Sequence, residues 1–478
     1  MPADFRLATF CRFAAFDNYT YTPYSTTLMK SRQATAREKS CVVSALAQHL
    51  FFIGSTPTVD ASPPGWATVQ LSLPGYSCEW SADAAALPEE WQELAPDHDL
   101  FLQLPYLEML AETPPAGMDF RYLFFRQEGK PAGLAVCQLL TFDAGEHIQA
   151  PEAHTTGAWQ YWKNRLRNAV ASRVKLRLLI CGNLLLTGQH GYAFSSSLSE
   201  LQALQLLEEA VTALVGRLND LGNPVDGIMI KDLHPRTGND SFWKRSGFTL
   251  APFQPNMILD IDPGWHTFED YLDAMSSKYR VRARRAFKAV RDLELRELDA
   301  AFLEENEGLI HDLYGHISAK AEFNMLHLHP GYFHQLARTF PHRFTVKGYF
   351  RGEELLGFFT TILNGDELEA HFLGLQDEAN THYQLYLNML YDMVKQGIEA
   401  GAGKVVFSRT AMEIKSSVGA TAHSLHNYLR HRCWWGNLIL PFMVRFLEPQ
   451  VNWTPRHPFR GLGGGCRFVY KFMSLLVY

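Results

Sequence analysis

Leu368-Glu369-Ala370-His371-Phe372-Leu373-Gly374-Leu375 reads as a β-strand ending in glycine, and Leu176-Arg177-Leu178-Leu179-Ile180-Cys181-Gly182-Asn183 reads the same way in the first half of the chain. Short apolar runs bounded by turn residues are strand signals. The surroundings of the two runs also match. Ahead of the earlier one, Phe120-Arg121-Tyr122-Leu123-Phe124-Phe125-Arg126 and the run 133–142 form a hairpin about Glu128-Gly129-Lys130-Pro131. Ahead of the later one, 343–350 and 355–363 form another about Arg351-Gly352-Glu353-Glu354, with Gly357 where the first has Gly133. Behind the earlier strand, Leu201, Leu204, Leu207, Val211, Leu214 and Leu218 recur at helical spacing, and Gly222-Asn223-Pro224 stops that helix. Its counterpart spans 381–400 and stops at Gly401-Ala402-Gly403. Each helix leads to a strand (226–232 and 404–409), a short helix (240–245 and 411–417) and a glycine turn (Gly247 and Gly419). Two copies of six elements in one order predict a duplicated α/β domain. The period of roughly 200 residues is far beyond the 20–50 of stacked repeats.

The expected organisation is a poorly ordered N-terminal extension over 1–68, a first α/β domain over 85–265, a basic helix with connecting helices over 266–342, a second domain over 343–432, and an apolar segment over 433–478. The halves differ mainly by an insertion over 143–175, whose stretch 159–177 is basic and aromatic and reads as a helix.

The 478 residues are 47% apolar and 20% charged, the balance of a folded globular protein. A net charge of -6 excludes a molecule that is basic throughout and binds nucleic acid by bulk charge. The seven cysteines are scattered, odd in number and never spaced Cys-x-x-Cys, which speaks against a disulfide framework or zinc ribbon and fits a reducing cytosol. The start lacks the basic-then-apolar plan of a secretory signal, and no apolar run of about 18 residues is present. The nineteen histidines form no His-Glu-x-x-His set, and no metal is expected.

Three stretches carry a family resemblance: Ser276-Ser277-Lys278-Tyr279-Arg280-Val281-Arg282-Ala283-Arg284-Arg285, the region from Gly357 through Gly374, and Ser408-Arg409-Thr410-Ala411-Met412-Glu413-Ile414-Lys415-Ser416-Ser417-Val418-Gly419-Ala420. The unit resembles the GNAT (Gcn5-related N-acetyltransferase) superfamily, and the tandem resembles its Fem-type, peptidoglycan biosynthesis/recognition-like branch. The resemblance covers about 85–432. It implies two tandem GNAT-like domains, with mixed sheets flanked by helices. It also implies transfer of acyl or aminoacyl groups to amines from acyl-CoA, a related acyl thioester or aminoacyl-tRNA. The usual acetyl-CoA loop, Gln/Arg-x-x-Gly-x-Gly/Ala, is absent, and the equivalent place reads Leu375-Gln376-Asp377-Glu378-Ala379-Asn380-Thr381. A Fem-type enzyme, or one with another donor, accommodates that departure.

Acyl transfer to an amine needs a place for the carbonyl's developing charge, a route for the amine proton and anchors for the donor. Arg409, Glu413 and Lys415 follow a strand end, where α/β sheets border crevices, and Arg409 and Glu413 are spaced to share a helix face. Arg409 or Lys415 could hold a phosphate or carboxylate, and Glu413 could take the proton. Glu369 and His371 alternate on one strand and face one side, a candidate base relay. Lys278, Arg280, Arg284 and Arg285 belong to a basic helix suited to pyrophosphate, a tRNA backbone or acidic lipid heads. Asn183 and His190 lie in a glycine-framed loop that could line a ligand, and Gly374 marks the equivalent strand end in the second half. Each of these groups also has a plain structural reading: surface ion pairs, a solvated helix face or an ordinary turn. The apolar stretch Cys433-Trp434-Trp435-Gly436-Asn437-Leu438-Ile439-Leu440-Pro441-Phe442-Met443-Val444-Arg445-Phe446-Leu447 is too short to span a bilayer but suits its surface or an acyl tunnel.

No Gly-x-Ser-x-Gly elbow is present, which suits direct attack without a covalent enzyme intermediate. The function expected is an N-acyltransferase using acyl-CoA or another acyl thioester on a small-molecule or lipid amine. Its place would be the cytoplasm or the inner membrane face. An aminoacyl-tRNA-dependent transferase acting on a cell-wall precursor and a non-catalytic binding module are the alternatives.

Overall fold

The computed structural model describes residues 67–143, 175–318, 326–447 and 453–459. The expected N-terminal extension up to residue 66, the insertion over 144–174 and most of the chain beyond 447 lie outside the described residues.

The first sheet is built from β1 (Ala67–Gln70), β2 (Tyr76–Ser81), β3 (Met118–Gln127), β4 (Lys130–Asp143), β5 (Lys175–Cys181), β6 (Tyr192–Phe194), β7 (Gly227–Leu233) and β8 (Thr249–Ala251). The second contains β9 (Asn256–Asp260), β10 (Glu294–Glu297), β11 (Phe344–Arg351), β12 (Glu354–Asn364), β13 (Glu367–Leu375), β14 (Lys404–Val406) and β15 (Thr421–His423). β16 (His426–His431) returns to the first sheet. The orders are β1-β2-β3-β4-β5-β7-β16-β8, with β6 on β4, and β10-β11-β12-β13-β14-β9-β15. Each sheet is antiparallel except for one parallel pair, β5 with β7 and β13 with β14. Ordered sheet starts at Ala67, ahead of the residue 85 expected from the sequence, because β1 and β2 extend the first sheet beyond β3.

Both hairpins turn on two residues, and Glu128 (φ 50) and Gly129 (φ 82) both occupy the left-handed region that such tight turns use. The helix Glu200–Asp220 begins with a capping box between Ser199 and Gln202, which satisfies backbone groups the first turn leaves open. Leu204, Leu207, Val211, Leu214 and Leu218 are buried beneath the first sheet, while Leu201, expected with them, is exposed. The single helix expected over 381–400 is two, Asp377–Tyr383 and Leu385–Glu399, broken at left-handed Gln384. The Asn388 side chain stabilises the break by donating to the carbonyls of Tyr383 (3.2 Å) and Gln384 (3.1 Å).

The halves exchange strands. β9, from the end of the first expected domain, lies between β14 and β15, with Leu259 opposite Val405 and Ile258 opposite Thr421. β16, from the end of the second half, lies between β7 and β8, with Tyr428 opposite Ile230 and Leu250. The boundaries at 265 and 432 therefore do not separate the sheets. Helices Glu200–Asp220 and Leu385–Glu399 cover one face of their sheets, and a third core joins the halves, with Phe101, Tyr106 and Phe120 against Tyr314, Phe333 and Phe358.

Candidate active site

The parallel pair of the second half parts early. β13 follows β14 only from Glu367 to Glu369, then runs on to Leu375 while its other edge stays on β12. Among the described residues, peptide groups of β13 beyond Glu369 thus face no strand on the β14 side. The opposite wall turns away through Ser408 (φ 59), Thr410 (φ 69) and Ala411 (φ 45). Three non-glycine residues in the left-handed region within four positions are a costly feature of the kind that clusters at functional sites. β13 also bulges, since Thr360 alone lies across from His371 and Phe372. The Thr360 hydroxyl ties the bulge down, donating to the Phe372 carbonyl (2.8 Å) and accepting from its amide (2.9 Å). Ala370, His371, Phe372 and Leu373 are half-buried, so the parted edge is open. A depression of about 600 Å³, lined by Leu309, Asp312, His316 and Gln376 among others, lies beside the end of this strand.

The first half has the same parting, but its own chain fills it. β5 pairs β7 as far as Cys181 and Ile230. The strand then breaks at Gly182 (φ 136), loops through 183–191 and resumes as β6 on β4. Phe194 stands opposite Gly133 as Leu375 stands opposite Gly357. The intervening loop occupies the gap, with Asn183, Leu185, Leu186 and Thr187 buried. Lys231 Nζ donates to the Leu186 carbonyl (2.8 Å), and the Gly188 amide donates to Asp232 (3.1 Å).

This loop brings polar groups of the first half against the second. Asp232, fully buried, is ion-paired to Lys231 and to Arg409. Burial raises its pKa, but the two cations prevail and hold it at about 2. Arg409 also donates through Nε to the Gln254 carbonyl (2.8 Å). His190 Nδ1 lies 3.1 Å from both carboxylate oxygens of Asp99. Burial alone would lower the His190 pKa, yet the Asp99 charge and hydrogen bond raise it. Glu369 is 1% exposed, its Oε2 has no partner among the described residues, and burial, opposed by His190, pushes its pKa up to about 8. His371 Nε2 lies 2.7 Å from the Tyr332 hydroxyl, its Nδ1 has no partner among the described residues, and burial lowers its pKa to about 3.

Glu369, His371, Arg409, Asn183 and His190, all singled out from the sequence, thus meet at the seam between the halves. The other candidates do not. Arg409 and Glu413 share no helix face, because the helix Met412–Ser417 starts only after the left-handed Ala411. Glu413 instead forms an ion pair with Arg456 near the surface. Lys415 is buried, and its ammonium donates to the carbonyls of Phe407, Ser408 and Arg409, fastening the strained turn. Burial brings its pKa down to about 7. Gly374 is needed for close approach, since a Cβ there would stand 2.5 Å from the Leu313 backbone. Lys278, Arg284 and Arg285 project to solvent from the helix Ser277–Ala289, whose Ala283 and Ala286 face inward, and Arg280 pairs with Asp273 (2.7 Å). Sequence reading missed Asp99, Tyr106, Lys231, Asp232 and Tyr332. The adjacent charges Lys231-Asp232 inside an apolar strand were the available signal. Among the described residues no three His, Cys, Asp or Glu side chains converge as a metal set.

No family model matches the chain, and a search of curated proteins gives no match. Solved structures similar to it include FemX, with 13% identity over 70% of this chain and 92% of that one at a TM-score of 0.41. A tandem GNAT protein from the clavulanic acid biosynthesis pathway shows 10% identity over 74% and 98%, at 0.43. L-PGS from Bacillus licheniformis shows 10% identity over 72% and 94%, at 0.39. These are distant likenesses of fold. The strand plan itself is a meander, a parallel pair that parts and a crossing helix, present twice.

Proposed function

We propose that the protein is an N-acyltransferase whose donor enters the parted edge of β13 in the second half. The observation that carries this reading is a pair of buried, unpartnered polar atoms two residues apart on that strand, Glu369 Oε2 and His371 Nδ1. Buried polar groups are nearly always paired, so orphans beside an open strand edge call for a ligand. The amine nitrogen attacks the thioester carbonyl, a C–N bond forms, and the C–S bond breaks from the tetrahedral intermediate. Glu369 takes the proton the amine loses, and the departing thiolate is protonated in turn. A carboxylate whose pKa is raised toward neutrality suits that exchange.

The donor is an acyl thioester. The helix that follows β13 opens with Asp377 and Glu378, which makes a poor seat for a pyrophosphate. That favours a carrier-protein thioester over acyl-CoA. Exposed Trp434, Leu438 and Phe442, one turn apart on the helix Trp434–Leu447, favour a lipid amine reached from a membrane surface on the cytoplasmic side. No helix among the described residues is long and apolar enough to cross a membrane. A second reading, an aminoacyl-tRNA donor with a cell-wall precursor as acceptor, is favoured by the exposed cations of Ser277–Ala289.

Mass spectrometry of ligand co-purified with the protein tests the choice, and a bound acyl thioester is the expected result. Tight tRNA binding that weakens steeply with salt would move the assignment to the second reading. Transfer unchanged in Glu369→Gln would mean that the site is misplaced, and no transfer by the parent protein would leave a binding module.

A further inference from the structure

The hydrogen bonds across the seam have a direction. The Leu185 amide donates to Asn183 Oδ1 (3.0 Å), and a backbone N–H can only donate, so that atom is oxygen. The Leu184 amide fixes Gln138 in the same manner through Oε1 (2.8 Å), leaving Gln138 Nε2 to donate to Asn183 Oδ1 (3.3 Å). The Asn183 amide nitrogen therefore donates to the Tyr106 hydroxyl oxygen (3.2 Å). Tyr106 is fully buried, and the hydroxyl of Tyr332 hydrogen-bonds His371 Nε2 (2.7 Å). A buried O–H without an acceptor costs about 1–3 kcal/mol. Tyr332 is equally buried, and the acceptor left for its proton is His371 Nε2.

We infer that the buried Tyr332 hydroxyl, donating to Nε2, holds His371 as its Nδ1–H tautomer, and that the Nδ1–H is the donor to the acyl oxygen. The tautomer follows from the Tyr332–His371 hydrogen bond, while the role toward the acyl oxygen rests on the acyltransferase reading above. Burial keeps the ring neutral, so it carries a single proton, on Nδ1. His371 is then no member of a base relay with Glu369. The two atoms have opposite tasks on one strand: Glu369 accepts from the amine, and His371 donates to the oxygen on which negative charge develops. Tyr332 is a positioning residue.

The test is a long-range 1H–15N correlation of the full chain with labelled histidine near neutral pH, with His371 assigned by its loss in His371→Gln. A pyrrole-type Nδ1 and pyridine-type Nε2 are expected, and in Tyr332→Phe a shift toward a mixture of tautomers. A wild-type ring protonated on Nε2 overturns the proposal whatever the activity. In transfer assays His371→Leu should lower kcat on the order of 100-fold with KM little changed, the usual effect of removing one donor to an oxyanion. Unchanged kcat in His371→Leu with activity lost in Glu369→Gln would remove the donor role alone. Activity retained in both variants would instead remove the acyltransferase reading of this strand.

Discussion

At the scale of single residues, the site depends on a carboxyl group that the fold prefers to keep protonated. Burial raises the Glu369 pKa from 4.5 to about 8. As the base, Glu369 must be ionised, so the rate of transfer is expected to climb with pH and level off above about 8. Glu369→Gln should lower it by at least about 100-fold, read from initial rates across that range. The stability effect has the opposite sense. The folded state binds a proton that the unfolded chain gives up, so this contribution is full below 4.5 and is lost as pH rises through about 8. Glu369→Gln, always neutral, is therefore expected to match the parent in urea melts below 4.5 and to exceed it above 8. Glu369, His371 and Arg409 were legible because each stands in or just after a strand of the repeat, where alternation and strand ends assign a side. Asp99, Tyr106 and Tyr332 were not, because they reach the seam from a loop and from the helices Leu104–Glu112 and Tyr332–Thr339. No local spacing connects those segments to β13.

At the scale of elements, the repeat could be read because hairpin, strand and helix leave local marks: a two-residue turn, a glycine where strands crowd, leucines at helical spacing. Gly374 shows how specific such a mark is. A Cβ there would lie 2.5 Å and 2.6 Å from backbone atoms of Leu313 and Tyr314, which cannot rotate away. Gly374→Ala is expected to push the helix Glu307–Ser318 off β13 and to cost about 1–3 kcal/mol in urea unfolding. Equal stability would mean that the helix gives way freely. The helix Trp434–Leu447 makes a different prediction. Trp434 (78% exposed), Leu438 (65%) and Phe442 (74%) form an apolar stripe facing outward, with Arg445 on the last turn. Sedimentation with anionic vesicles should pull down the parent protein, and Trp434→Ser, Leu438→Ser, Phe442→Ser together should leave it in the supernatant. Equal sedimentation of the two would assign this stripe elsewhere. The filled cleft of the first half was beyond the sequence: its loop 183–191 has turn composition, and nothing local says that a turn folds inward.

At the scale of the whole molecule, the exchange of β9 and β16 changes what the two copies mean for folding. Read from sequence, the halves are successive domains, each with a core of its own. Among the described residues β7 and β8 are joined only through β16, and β14 and β15 only through β9. Removing either half would expose unpaired strand edges in the other, which invite aggregation. The shared core, the Asp232–Arg409 ion pair and the hydrogen bond from the Leu100 amide to Asn364 (2.7 Å) tie the halves further. Domains joined only by a linker would unfold in separate steps, whereas these should unfold together. Scanning calorimetry of the full chain is expected to give one transition, with calorimetric and van't Hoff enthalpies in agreement. A chain cut between residues 265 and 266 should yield no soluble fragment alone and recover fold only when both pieces are expressed together. Two resolved transitions, or a first piece that stays folded and monomeric without β16, would show that the exchanged strands are dispensable and that each half closes its own sheet.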